Sequence, residues 1–401
     1  MMLFRDPVRL RALTDGYAGA FHDTPARFFS APGRTEICGN HTDHQNGRVL
    51  AAAVNLDTVA AVGYSDVPEI RVLSEGYPLC RVSLDSLDPD PAEAGTTAAL
   101  VRGVAAAFKK AGCSLSGFNA YVTSQVLPGS GLSSSAAFEV LVGTVINALF
   151  FEGKASAPEI ARYAQYAENV YFGKPCGLMD QMASSVGNLV EIDFSDPAQP
   201  RIEPLNYDFS GSGHALCIID SGASHADLTD EYAAIPAECR EVAGRFGQET
   251  LSAVPEDAFF RRMPELRQTC GDRAVLRAVH FYQENARVTA AADALRRDDF
   301  PAFLQVIRAS GRSSFMYLQN VSPAGAVREQ AMAVTLALCD HLLMGQGAFR
   351  VHGGGFAGTA QAFVPLEMLD AFRTGIDDIL GPGACHILTI RPRGGVELEV
   401  L

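Results

Sequence analysis

The residues best suited to chemistry in this 401-residue chain fall in four short segments. The first is PGSGLSSSAAFEVLVG, Pro128 to Gly143, a glycine–serine loop running into an apolar, helix-forming stretch with no lysine. Small residues at Gly129, Ser130, Gly131 and Ser133 to Ser135, with Leu132 among them, let the backbone come close to a ligand. A helix starting there turns its N–H groups and positive dipole end on the loop, which makes an anion site, and phosphate is the usual anion. The serine hydroxyls add donors or ligate a hard metal ion. There is no GxxxxGKS/T and no third glycine to complete GxGxxG, so neither a P-loop NTPase nor a dinucleotide fold has support. The plainer alternative is a serine N-cap on a buried helix.

The second segment, GRTEICGNHTDHQNG, packs Arg34, Asn40, His41, Asp43, His44 and Asn46 between two apolar runs. Such a cluster of donors and acceptors on a rigidly held loop suits the hydroxyls of a polyol or sugar; the alternative is a hydrophilic turn. The third, AENVYFGKPCGLMDQMASSVG, places Glu168 at a helix end and Asp180 near the start of the next helix. The dipole there keeps an aspartate ionised, fit for a base or an electrostatic stabiliser, although first-turn acids are common for structural reasons alone. The fourth, VHGGGFAGT, has three consecutive glycines, which signal a close backbone approach or a tight hairpin.

The elements that must hold these segments read as two α+β lobes, residues 1–205 and 206–401, meeting near 200–210. Strand signals lie at RFFSAPG, EIRVLSE, LCRVSL and GFNAYVTSQV, and VLAAAVNLDTVAAVGY fits strand or helix by periodicity. Helices are expected at TTAALVRGVAAAFKKAG, after the glycine–serine loop, and at APEIARYAQYAENVYF. The second half has a strand at HALCIIDSG and helical stretches at LTDEYAAI, PAECREVAGRFG, RAVLRAVHFYQENARVTAAADALRR and AVREQAMAVTLALCDHLL. Two strands flank the GGG turn, and CHILTIRP and GVELEVL read as a closing strand pair.

Hydrophobic content of 48% with 19% charged residues is that of a folded chain, and the length points to two domains. A net charge of −14 argues against a nucleic-acid binder. The N-terminus lacks the apolar core of a secretory signal, and no apolar run is long enough to span a bilayer. Nine cysteines without a CxxC pair read as reduced, packed thiols, so the cytoplasm is the expected compartment, with no membrane partner.

In order and across nearly its whole length, the chain resembles the galactokinases of the GHMP small-molecule kinase superfamily. The signature GRxNxIGEHTDYNxG is matched by GRTEICGNHTDHQNG, PxGxGLSSSAA by PGSGLSSSAA, PCGxMDQ by PCGLMDQ, and TGGGFGG by HGGGFAG; an EYxxxxxxC stretch spans Glu231 to Cys239. The resemblance implies a GHMP fold with an N-terminal mixed-sheet lobe and a C-terminal ferredoxin-like lobe. It also implies ATP- and Mg²⁺-dependent phosphorylation of a small sugar, D-galactose, at its anomeric C1 hydroxyl. By the same resemblance Asp180 is the catalytic aspartate and Arg34 its partner. Glu168 with Ser134 or Ser135 ligates the metal, and the loop from Gly129 to Ser135 holds the triphosphate. Asn40, His41, Asp43, Gly177 and Tyr232 bind the sugar.

The sugar end departs from the pattern. Asn40 stands where the family has a glutamate that bonds the C6 hydroxyl, His44 replaces a tyrosine, His352 replaces a threonine, and Ile235 and Pro236 occupy the place of paired arginines. An amide both donates and accepts, whereas a carboxylate only accepts. A galacturonate kinase or another sugar-1-kinase is therefore an alternative, as is a non-catalytic galactose and ATP sensor. A mevalonate or homoserine kinase is disfavoured by the PCGLMDQ and HTD matches. Cys176 reads as a packing residue, and His225 and His280 as surface or capping histidines. No adenine-binding motif is visible, and nothing speaks to oligomeric state.

Overall fold

The computed structural model describes residues 2–126, 131–174, 176–223 and 228–400. Its strands are β1 (Met2–Leu3), β2 (Arg27–Cys38), β3 (Arg48–Ser65), β4 (Glu69–Ser74), β5 (Cys80–Ser83), β6 (Gly117–Ser124), β7 (Leu189–Asp193), β8 (Arg201–Leu205), β9 (His214–Asp220), β10 (Ala348–Val351), β11 (Thr359–Pro365), β12 (Cys385–Leu388) and β13 (Val396–Glu399). Nine of them form a mixed sheet in the order β1-β13-β2-β3-β6-β4-β5, with β7 on the first part of β3 and β8 beyond it. A second, antiparallel sheet runs β10-β11-β9-β12.

The alanine-rich run that periodicity left open is strand β3. It is held by β2 along one side and by β7 and then β6 along the other. Most of β2 and β3 is buried, and small or β-branched residues fit a sheet covered on both faces. On one face the helices Thr97–Lys110, Ser134–Phe150 and Ala157–Tyr166 pack Val104, Phe108, Val140 and Ile160 against Phe29, Val72 and Phe118. On the other, Ile37, Leu50 and Val54 meet Val288, Leu295, Phe303 and Ile307 of helices Asp272–Arg296 and Phe300–Ser313. The same core takes in Leu216 and Phe363 of the second sheet, so one hydrophobic layer joins the two sheets behind the site.

Three readings of the sequence are corrected here. The last two strands do not pair with each other: β12 joins β9, whereas β13 returns to the first sheet between β1 and β2. The stretches LTDEYAAI and PAECREVAGRFG, expected as separate helical segments, form one helix, Thr229–Gly244, which runs through Pro236 despite the N–H bond that proline removes. His280 is no surface residue; it is 1% exposed inside helix Asp272–Arg296. Helices Glu256–Thr269, Phe300–Ser313 and Leu369–Leu380 carried no signal that was singled out. Among the described residues no helix is long and apolar enough to cross a membrane, and all nine cysteines are unpaired.

Candidate active site

Arg34 and Glu36 sit two residues apart on β2, so strand alternation sends both side chains to one face. Register irregularities flank them, between Pro32 and Arg34 and between Glu36 and Cys38, and such bulges re-aim side chains. Arg34 meets Asp180, in the first turn of helix Met179–Val186, through a two-pronged ion pair: Nε donates to Oδ1 at 2.7 Å and Nη2 to Oδ2 at 2.6 Å. Burial opposes ionisation of Asp180 most strongly. The Arg34 guanidinium, a bond from the Ser133 hydroxyl and the Lys174 charge outweigh it, and hold the carboxyl below its usual range.

Arg34 also anchors the glycine–serine loop. Its backbone N–H donates to the Leu132 carbonyl at 2.9 Å and its Nη1 to the Gly131 carbonyl. Gly131 has φ +70°, and a Cβ there would press on Thr359 and His352, so glycine is required. Ser133 occupies the N-cap position of helix Ser134–Phe150 in a left-handed conformation and makes no side-chain cap bond. The plain serine cap is therefore absent, and the first N–H groups of the helix keep their capacity for a ligand. Ser134 and Ser135 open the helix; Gly129 and Ser130 lie outside the described residues.

Glu168 lies in a π-helical turn, Ala167–Phe172, a feature often found at functional sites. It is 3% exposed and bonded by Lys174 Nζ at 3.2 Å and Gln181 Nε2 at 2.8 Å. Gln181 also reaches Glu139 Oε2, at 3.2 Å, from helix Ser134–Phe150. Burial, then the neighbouring Glu168 charge, push Glu139 well above the carboxylate range, and its Oε1 has no partner. Lys174, Gln181 and Glu139 were not assigned roles from the sequence. A lone glutamate inside AAFEVLVGTVINALF was the signal available, because a charge in an all-round apolar helix must meet something.

The polar corner opposite Asp180 is built from the second and fourth segments. His41 Nε2 donates to the Gly354 carbonyl at 2.9 Å, which leaves Nδ1 as an acceptor without a partner. Burial and the nearby His44 push the His41 ring down to about 3, so it is neutral. Asp43 Oδ2 abuts Gly177, where a Cβ would stand 2.6 Å away, so Gly177 permits that approach. Tyr232 stands behind the glycine turn, its hydroxyl donating to the Gly355 carbonyl at 2.7 Å and its ring edge-on to Phe356. Arg34, Glu36, Asn40, His41, Asp43 and Asp180 are among the residues lining a cavity of ≈ 230 Å³. A larger cleft of ≈ 700 Å³ near Tyr207, Phe209 and Leu388 is mainly apolar and lies apart from these groups.

His352 ties the two sheets together beneath the loop. Its Nε2 accepts from the Glu36 backbone N–H at 3.3 Å, which puts the ring proton on Nδ1, bonded to Thr359 Oγ1 at 2.9 Å. Cys176 is half-buried and its thiol is pushed up by burial and then by Glu168, as suits a packing residue.

Neutral histidines, His280 and His352 buried and His41 half-buried, make the fold acid-sensitive. Burial lowers His41, His280 and His352 alike. Below about pH 6.5 the unfolded chain takes up protons that the folded one refuses, so stability falls with pH, for His41 down to its value of about 3. Between pH 7.5 and 5.5, His41 alone removes about 1.4 kcal/mol, and the other two act in the same direction. Urea unfolding at the two pH values measures this; an unchanged midpoint would show that the rings protonate in place.

The model of the galactokinase galactose-binding signature matches residues 16–64, which contain Arg34 to Asp43, and that of the GHMP kinase N-terminal domain matches residues 99–188. A galactokinase from Streptomyces coelicolor is 32% identical over 362 residues, 88% of each chain.

The chain belongs to the galactokinase family. Among solved structures, Lactococcus lactis galactokinase complexed with galactose is 25% identical, with a TM-score of 0.82 over 97% of this chain and 100% of its own. Methanococcus jannaschii mevalonate kinase, at 12% identity and a TM-score of 0.64 over 90% of this chain and 98% of its own, shares the GHMP fold alone. The galactokinase match and the GHMP architecture agree with the fold class expected from the motifs.

Proposed function

We propose that this galactokinase-family protein transfers the γ-phosphoryl group of ATP to the C1 hydroxyl of D-galactose, giving α-D-galactose 1-phosphate and ADP. The observation that carries the reading is the Arg34–Asp180 ion pair set between the glycine–serine loop and the His41–Asp43 corner. The C1 oxygen bonds to the γ-phosphorus as the bond from that phosphorus to the bridging oxygen breaks, and ADP leaves with the electron pair. Because Arg34 keeps Asp180 ionised, the carboxylate first orients the hydroxyl and takes its proton late, as bonding to phosphorus acidifies it. Arg34 balances charge on the transferred group, and the loop with its helix N-terminus positions the triphosphate.

The residues present suit Mg²⁺. Glu168 with the hydroxyl of Ser134 or Ser135 would supply hard oxygen donors, and the unpartnered Oε1 of Glu139 lies in the same buried cluster, joined to Glu168 through Gln181, where a cation would favour ionisation of Glu139. A bound ion there would supply charge neutralisation to the triphosphate. The enzyme is read as cytoplasmic and acting on a small soluble sugar.

The uronic-acid alternative loses its physical ground in the sugar corner. A carboxylate is still there, on Glu36, which accepts a bond from the Asn40 amide at 3.1 Å. An ADP-release assay with MgATP and galactose, galactosamine, talose, L-arabinose, glucose and galacturonic acid tests the reading. Galactose is expected to give the highest kcat/KM; a higher value for galacturonic acid would overturn the substrate, and binding of galactose without ADP release would make the protein a sensor.

A further inference from the structure

The signature that identified this chain has asparagine and then, four residues on, glutamate, where this chain has Glu36 and Asn40. The two side chains are in contact. Asn40 is fully buried with its amide wholly engaged: Nδ2 donates to Glu36 Oε1 at 3.1 Å and to the Gly353 carbonyl at 2.6 Å. Its Oδ1 accepts from Asn320 Nδ2 at 2.8 Å and Ser314 Oγ at 3.3 Å. An amide so bound has nothing left for a sugar hydroxyl.

Glu36 is in the opposite position. Its Oε1 is held by Asn40 and by Arg350 Nη2 at 2.7 Å, while its Oε2 makes no hydrogen bond among the described residues. The side chain lines the same cavity as Arg34, His41 and Asp180. Arg350 is itself fully buried and fixed by a bond to the Ile37 carbonyl at 2.9 Å, so it cannot follow a ligand. A carboxylate with one oxygen clamped from behind and the other facing a polar cavity is preorganised to accept a hydroxyl.

We infer that Glu36, and not Asn40, supplies the carboxylate that accepts a hydroxyl of the sugar, with Asn40 and Arg350 as the positioning residues that aim it. The inference rests on the galactokinase reading above. The carboxyl group has moved from the turn after β2 back onto the strand and the amide has taken its old place, so an acceptor carboxyl is kept at the sugar end, paired with Arg350, while the chain position that carries it has changed.

The test is kcat/KM for galactose and for its 2-, 3-, 4- and 6-deoxy analogues, in the wild type and in Glu36→Gln. The expected result is a rise of about tenfold or more in KM for galactose with kcat little changed, the size of one charged hydrogen bond. One deoxy sugar that is penalised in the wild type should lose that penalty in Glu36→Gln, a coupling that a merely structural role would not produce. The exchange variant E36N/N40E, which returns the carboxylate to the signature position, should recover most of the galactose kcat/KM and the penalty for the same deoxy sugar. If Glu36→Gln fails to fold, that variant carries the test, and loss of the penalty there overturns the inference. Wild-type turnover of galactose with deoxy penalties identical in Glu36→Gln overturns the role of Glu36 and leaves the kinase reading standing. Absence of wild-type galactose turnover overturns both.

Discussion

Asp180→Asn lowers kcat by about 10³–10⁴-fold while the fold and MgATP binding persist. Asparagine fills the same volume, and its oxygen still accepts from Arg34, so the cavity keeps its shape. It can neither take the C1 proton nor offer an anionic acceptor to the hydroxyl as charge builds on it. In the proposed site the nucleotide would be held elsewhere, by the loop and the Glu168 cluster, so its affinity should change little. Single-turnover kinetics with saturating MgATP and galactose, beside calorimetric titration of the nucleotide, separates the two effects. A kcat within tenfold of the wild type would remove Asp180 from the chemistry.

Arg34→Lys is the second large effect, and it is expected to act on two properties at once. Arginine forks onto both Asp180 oxygens and extends a further N–H to the Gly131 carbonyl. Lysine is a point charge that cannot make these bonds together. Turnover should fall about 10²–10³-fold, as on losing one preorganised donor to developing charge. KM for ATP should rise as well, because the loop loses its side-chain anchor and keeps only the backbone bond from Arg34 to Leu132. A fall in kcat with an unchanged KM for ATP would mean that Arg34 serves Asp180 alone.

The layout of the site was more legible in the sequence than the architecture that carries it. Loop motifs are local, so the glycine–serine loop and the polar clusters holding Arg34 and Asp180 stand out by residue type and spacing, while the roles of those two residues come from the motifs' resemblance to the galactokinases. The pairing of β13 with β2 joins residues more than 360 positions apart, and no local pattern encodes it. Strand β3 was ambiguous because alanine is as much at home in a helix, and only its neighbours on both sides decide the matter. Pro236 misled in the other direction, since the packing of Ile235, Cys239 and Val242 holds the helix together across the missing bond.

At the sugar corner, the sequence shows Asn40 as a single position and not the groups that surround it. Asn320, which donates to its Oδ1, is 280 residues away, and Arg350, which holds Glu36, is 314 residues from it. His280 was misjudged for the same reason: its ring bridges the Asn40 carbonyl and Ser313, two residues distant in sequence from it and adjacent in space.

The most direct measurement of the central claim is the identity of the product formed from ATP and galactose labelled with ¹³C at C1. Phosphorus–carbon coupling at the labelled carbon, with one ADP released per sugar consumed, is the predicted result. Phosphate on any other carbon, or ADP release without a sugar phosphate, would contradict it.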